Sequence, residues 1–402
     1  MTENQKQPDL ESTIDSPSGV LFLKNPGKTE NIVEWYSSKI AGVPFILRNL
    51  LTMQRAGIKI LAIFMEDPNG EIEKSFEKLL KDSRLPKNIP WLKNISQLKE
   101  WIPNNPTYIF NGSALHNKKE LHSLIHSQLD NEGASAFPVK LEKLEELLVN
   151  NPTAIQSQQT GFPLYVPGAK EEEIQESKDF KRLHELQVGG SGLSHDSPIT
   201  RILSRPASRL LTRMFLNTPI SPNQITLLSF FLGLVSAFLF FQGSYGTSVI
   251  AAMLLVFSTW VDGADGEIAR LKFMETDIGK KLDIYCDNII HFLVFTAIGC
   301  GVYFKTGESI FLYLGGLAGI GGLTAFFLLS PILLEKRSSS NQLLHINEPE
   351  LAEKFANRDF IHFLLLVAVV DQMGIFIAVA AVGANLFAGY LIYSRLLKLK
   401  MA

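Results

Sequence analysis

The chain has 402 residues, 46% of them hydrophobic and 19% charged, with 38 Lys and Arg set against 40 Asp and Glu for a formal net charge of -2. That length admits two domains, and the near-neutral balance, with no basic patch interleaved with aromatics, excludes nucleic acid as a partner. The two cysteines, Cys286 and Cys300, fall within one apolar run, which excludes a disulfide framework, a CxxC metal site and redox chemistry.

The first 18 residues form a polar, acidic tail without the basic-then-apolar order of a signal peptide, so the N-terminus is expected in the cytosol. From Gly19 to about Val188 apolar runs alternate with helical patterns. GVLFL (19–23), ILAIF (60–64) and TYIF (107–110) read as buried strands; 44–56, 70–81, 118–129 and 141–149 read as helices. Alternation of this kind predicts a mostly parallel sheet wrapped by helices, a Rossmann-like α/β domain over 19–188. A charged helix over 171–187 closes it, and the loop GGSGLSHDSP opens a linker over 189–200.

Residues 201–402 read as a membrane domain. Arg201, Arg205, Arg209 and Arg213 are four apart, one stripe on a helix that is either an ordinary solvated face or, as Leu203, Leu210, Leu211 and Phe215 favour, an amphipathic helix on anionic headgroups. Pro206 either kinks that helix or marks its start. Six apolar runs follow, at about 225–241, 248–261, 282–304, 310–334, 360–370 and 374–397. A span needs roughly 20 helical residues, so the second and fifth must borrow from their flanks, the second by continuing through Asp262 and Asp265 to Arg270. Lys and Arg crowd the loops on one side, while Lys305 is the one basic residue in the loops of the other. Six transmembrane helices with both termini cytoplasmic fit this asymmetry. Gly315, Gly319 and Gly322 in the fourth run read as sites of close helix approach, chiefly within the molecule.

The stretch VDGADGEIARLKFMETDIGKKLDIYCDNIIH (261–291) carries the chemistry. Asp262 and Asp265 are three apart and Asp283 and Asp287 four apart, so on helices each pair faces one way. Two helices joined by the basic turn at 271–281 bring the four carboxylates together. Such a site, rich in oxygen and without His or Cys, suits magnesium, manganese or calcium rather than zinc. A lone Asp at mid-membrane costs about 2.5–3.5 kcal/mol on insertion scales, so a cation must offset the group. Gly266 and Ala269 share the face of the first pair, and Gly279 lies one turn before Asp283, where small side chains admit a bulky ligand or a packed helix.

The run D-G-A-D-G-E-I-A-R, eight residues, then G-K-K-L-D-I-Y-C-D resembles the CDP-alcohol phosphotransferase signature D-x-x-D-G-x-x-A-R-x8-G-x3-D-x3-D at every fixed position. Upstream, I-S-P-N-Q-I-T resembles the P-N-x-x-T element that opens the first span in many members; alone, Ser221-Pro222 is a common helix start. The resemblance implies transfer of a phosphoalcohol group from a CDP-alcohol to the hydroxyl of an acceptor alcohol, lipid or polar, with release of CMP, in phospholipid or polar headgroup synthesis. It further implies Asp262, Asp265 and Asp283 as ligands of two magnesium or manganese ions, with Asp287 as a further ligand and the general base. Gly266, Ala269 and Gly279 would line the cytidine and diphosphate site with Arg270 nearby, and Asn223 and Thr226 would join them. A homodimer in the lipid bilayer, in a bacterial or archaeal inner membrane, is expected on the same ground. A divalent-cation transporter is the rival reading, since intramembrane aspartates also mark ion pathways.

Residues 39–58, KIAGVPFILRNLLTMQRAGI, resemble the segment after the nucleotide loop of sugar-phosphate nucleotidyltransferases. Domains of that kind occur fused to CDP-alcohol phosphotransferases, including enzymes that first make the CDP-alcohol from CTP, so a bifunctional enzyme is the alternative. Here LKNPGKTENIVEW stands where a glycine-rich phosphate loop with Arg is expected, and FNGSALHN where a metal-binding Asp is expected. A site without phosphate cradle and metal carboxylate predicts a scaffold or regulatory domain.

Overall fold

A computed structural model describes residues 17–26, 30–102, 106–126, 136–139, 163–190, 200–336 and 359–401. The chain divides into two compact units, Met1–Gln187 and Val188–Ala402. In chain order the first unit contains β1 (Ser18–Phe22), α1 (Ile32–Ser37), β2 (Lys39–Ile40), β3 (Val43–Pro44), α2 (Phe45–Ala56), β4 (Ile60–Phe64), α3 (Glu71–Leu80) and β5 (Trp91–Leu92). It continues with α4 (Ile95–Trp101), β6 (Thr107–Asn111), α5 (Lys118–His126), β7 (Phe137–Pro138) and β8 (Leu164–Val166), and α6 (Ser177–Gly189) runs across the division. The expected helix over 141–149 and the loop after Gly190 lie outside the described residues.

Six strands form one sheet in the order β5-β4-β1-β6-β8-β7, parallel throughout except where β7 runs antiparallel to β8. The three strands with continuous apolar runs are its centre. Every residue of β1 and β6 is buried, as a parallel sheet covered on both faces requires, and Phe22 stacks on Phe64 at 5.3 Å between ring centroids. The charged helix is α6, which begins after a 3-10 turn at Lys170–Glu172 and buries Leu183 and Val188. Its Phe180 meets Trp35 and Phe45 edge-on, at 5.0 and 5.7 Å.

Within 39–58, β2 and β3 form a hairpin whose two-residue turn, Ala41 and Gly42, has φ of 46° and 77°. Two positive φ values are those of the hairpin turn whose twist matches its strands. Arg48 of α2 holds that turn from within the core, donating Nε to the Ile40 carbonyl at 3.0 Å and Nη2 to that of Ala41 at 3.2 Å.

The second unit is helical. A π turn at Thr200–Ser204 leads into α7 (Arg205–Leu216), followed by α8 (Pro222–Phe241), α9 (Tyr245–Leu271), α10 (Asp277–Thr306), α11 (Ile310–Lys336), α12 (Asp359–Val369) and α13 (Met373–Met401). Five of these, α8, α9, α10, α11 and α13, are long and apolar enough to cross a membrane. The described part of α12 has 11 residues, shorter than a span, and corresponds to the fifth, short run. The chain is therefore an α/β unit followed by a multi-pass helical membrane domain. Pro206 stands at the start of α7 rather than at a kink.

Local chemistry sets the helix ends. Ser221 caps α8 in a reciprocal box: its Oγ accepts from Gln224 N at 3.4 Å, and Gln224 Oε1 accepts from Ser221 N at 2.9 Å. Close approach sets the crossings. A Cβ at Gly315 would lie 2.9 Å from the Cα of Gly299, and one at Gly319 would lie 2.8 Å from the Phe292 ring, so these glycines seat α11 on α10. Gly322 has nothing within 4 Å and takes no part.

Candidate active site

Helix α9 carries the first carboxylate pair to the cytosolic end expected of the bundle, where α8 and α10 flank it. Asp262 and Asp265 are buried at 8% and 6% exposure, and Asp283 of α10 is half-buried. One ligand oxygen from each of the three can be chosen so that all lie within 4.8 Å of one another. Oxygens on a single hard cation sit about 2.0–2.6 Å from it, hence at most about 4–5 Å apart, so the three carboxylates fit one such ion with little movement.

The carboxylates are oriented by α8. Thr226 Oγ1 donates a short hydrogen bond to Asp265 Oδ2. Ser229, one turn further on, shares its hydroxyl proton between Asp262 Oδ1 at 3.2 Å and the Thr226 carbonyl at 2.8 Å. Ser258 Oγ in turn donates to the Ser229 carbonyl at 2.7 Å. These hydrogen bonds fix the direction in which each carboxylate points.

All six small or polar residues named for ligand contact, Asn223, Thr226, Gly266, Ala269, Arg270 and Gly279, line one cavity of about 250 Å³, together with Asp265, Asp283 and Lys280. Gly279 is needed for space: a Cβ there would come 2.7 Å from Asn223 Oδ1. At Gly266 it would come 3.2 Å from Arg270 Nη1, so the guanidinium folds across that glycine. Arg270 and Lys280 line the cavity along with its carboxylates, as an anionic ligand held through a cation requires.

Asp287 is not one of the three carboxylates whose ligand oxygens all lie within 4.8 Å of one another. It lines a second, smaller cavity of about 20 Å³ with Asp262, Cys286, His291 and the Ser229 and Ser258 hydroxyls. Asp262 lines this space, while Asp265 and Asp283 line the larger one. A cavity of that size admits a water or one hydroxyl group.

Residues 219–383 match the family model described as CDP-alcohol phosphatidyltransferase. The second unit contains a CDP-alcohol phosphatidyltransferase domain. The chain is 34% identical over 146 residues to the bifunctional IPC transferase and DIPP synthase of Archaeoglobus fulgidus, a match covering 35% of this chain and 28% of that one. Proteins of the same name from Rubrobacter xylanophilus and Aquifex aeolicus are 31% and 32% identical over 134 and 127 residues, covering 33% and 32% of this chain and 30% and 27% of theirs. The chain thus spans under a third of the length of these curated relatives in each match.

Two polar residues, one in the site and one on the far side of α9, were not singled out from sequence. Ser229 reads as a small packing residue in an apolar helix, and its signal was its position one turn after Thr226. Glu267, inside the D-G-E-I-A-R run, is fully buried and holds Arg205 Nη1 at 2.7 Å. The arginine stripe therefore divides: Arg201 and Arg213 are exposed, while Arg205 turns inward to α9.

Proposed function

We propose that the membrane domain transfers the phosphoalcohol group of a CDP-alcohol to an acceptor hydroxyl and releases CMP. The gathering of Asp262, Asp265 and Asp283 on the wall of a cavity kept open by Gly266, Ala269 and Gly279 carries this reading. Asp262, Asp265 and Asp283 would hold two magnesium or manganese ions with Asp287 as a further ligand, and such ions neutralise the diphosphate and the charge on the departing CMP. Asn223, Thr226 and Arg270 would bind the nucleotide end, and the small residues let it lie against both helices. The acceptor oxygen would form a bond to the phosphorus bearing the alcohol as the bridging P–O bond to CMP breaks, and Asp287 would take the hydroxyl proton. The small cavity supports that last role, because it admits a single hydroxyl beside Asp287 and Asp262. A homodimer with both termini cytoplasmic completes the proposal.

The experiment is a screen of CDP-alcohols against lipid and polar acceptors with mass spectrometry of the products. One pairing should yield CMP and a phosphoalcohol adduct in equal amounts; no CMP from any pairing would refute the reading.

For the first unit we propose a scaffold or regulatory role. FNGSALHN (110–117) stands where the resemblance expects a metal-binding Asp, and the Asn111 side chain within it is engaged locally: Nδ2 donates to the Pro167 carbonyl at 3.1 Å and Oδ1 accepts from Ser113 N at 3.1 Å. The relatives' names favour a second reading, a bifunctional protein in which this unit makes the CDP-alcohol. Pyrophosphate release from CTP and phosphoalcohols by the full chain decides between them, and its detection with loss on mutation near Lys39 would establish the second.

A further inference from the structure

Three side chains of α7 converge on one carboxylate of α9. Arg205 Nη1 donates to Glu267 Oε1 at 2.7 Å, Thr212 Oγ1 donates to Oε2 at 2.8 Å, and Ser208 Oγ lies 3.5 Å from Oε1. Beside them Gly263 removes the bulk that would keep the helices apart, since a Cβ there would lie 3.3 Å from Ser208 Cβ. Just before α7, Ser204 Oγ meets His362 Nε2 of α12 at 3.2 Å, which fastens the start of the same helix to the bundle.

A carboxylate at 0% exposure is stable only when paired and hydrogen-bonded. Among the described residues its hydrogen-bond donors all come from α7, and Arg270 of α9 itself lies within electrostatic reach. Glu267 is not among the residues lining either site cavity. At 3.6 residues per turn it lies about 140° around α9 from Asp262 and about 160° from Asp265, on the side away from the carboxylates. Helix α9 is therefore gripped from behind by α7 while its front presents Asp265, Gly266 and Ala269 to the larger cavity.

We propose that Glu267 is a positioning residue: through Arg205 and Thr212 it clamps α7 to the rear of α9 and sets the angle at which the front of α9 meets the CDP-alcohol. The inference rests on the proposed reading of that cavity. Close-packed helices shift between discrete arrangements rather than bending by degrees, so release at the rear moves the donor-binding face as a unit. Glu267 touches no reacting atom.

Two arms test this on the full chain in lipid nanodiscs. The first needs no substrate. Cysteines introduced by Ser208→Cys and Gly263→Cys stand close to disulfide range, about 3.5–4.5 Å between Cβ atoms, and they should crosslink on mild oxidation, several-fold more slowly when Glu267→Gln is added. Equal rates overturn the clamp whatever the enzyme's substrate. The second arm measures CDP-alcohol affinity. Glu267→Gln should weaken it about 10- to 100-fold, the usual consequence of a misplaced binding face. Thr212→Val, which removes one hydrogen bond without stranding a charge and serves if the first variant does not fold, should weaken it about 2- to 10-fold. Oxidising the triple variant Ser208→Cys/Gly263→Cys/Glu267→Gln should return affinity close to wild type, and reduction should remove it again. Affinity unchanged in both single variants, or a crosslink that forms without restoring affinity, overturns the proposal. Absence of CDP-alcohol binding by the wild type instead counts against the proposed function and leaves the crosslinking arm to decide the clamp.

Discussion

Asp265 and Asp287 face different cavities, and their loss should be felt at different steps. Asp265 lies among the clustered carboxylates and receives the Thr226 hydroxyl, so Asp265→Asn should abolish metal-dependent donor binding and turnover together. Asp287 lines the small cavity, so Asp287→Asn should act mainly on the chemical step, lowering the rate by about 10²- to 10⁴-fold, or about 3–5.5 kcal/mol of barrier, as the loss of a general base does. Nucleotide affinity and single-turnover rate at saturating magnesium measure both. Full turnover by Asp287→Asn would remove it as the base, and complete loss of nucleotide binding would make it chiefly a metal ligand. In the first unit, His116 is buried against Phe110, with Nε2 donating to the Asn111 carbonyl at 2.9 Å. Burial pushes the imidazole down to about 4. The unfolded chain takes a proton near pH 6.5 that the folded one refuses until about 4. The contribution to stability is thus whole above pH 6.5 and is lost as the pH falls toward 4, by about 1.4 kcal/mol per pH unit. Hydrogen exchange of the β1 and β6 amides should show that slope in the wild type and a flatter one in His116→Gln.

Helix α10 approaches α8 at Gly279, where any side chain meets Asn223. Gly279→Ala should therefore displace Asn223 and weaken donor binding about tenfold, the value of one hydrogen bond to a charged ligand, while Gly322→Ala, with open space around it, should leave binding and turnover as they are. Equal effects from the two would show that Gly279 has no special place. The aspartates were legible because spacings of three and four fix a helix face before any tertiary contact is known. Glu267 was not, because its partners lie 55 to 62 residues earlier in the chain. The same division holds among strands. Runs such as ILAIF declare a buried strand, whereas β5, β7 and β8 have two or three residues each and join the sheet by backbone pairing that leaves no periodicity to read. The hairpin at Ala41-Gly42 lacks the Asn-Gly or Asp-Gly signal usual for its turn, and the buried guanidinium of Arg48 that holds it reads in sequence as surface charge.

In the membrane the two ends of the bundle should face different compartments, with the carboxylate cavity toward the cytosol. An impermeant thiol reagent applied from outside should label Glu308→Cys, in the turn after α10, and should reach Asp277→Cys, at the start of α10, only after permeabilisation. The reverse pattern would place the site on the outer face. Beyond topology, the proposal joins three features of the second unit: a group of three carboxylates, a larger cavity lined also by Arg270 and Lys280, and a hydroxyl-sized cavity lined by Asp262 and Asp287. Their common consequence is transfer that requires a cation, a nucleotide-linked donor and an acceptor hydroxyl at once. The decisive measurement is CMP release by the purified full chain from the CDP-alcohol and acceptor identified by the screen, first with EDTA and then with excess magnesium or manganese. Release should stop with the chelator, return with the metal, depend on the acceptor and be absent from Asp265→Asn; release that persists in EDTA or in Asp265→Asn would contradict a mechanism built on these carboxylates.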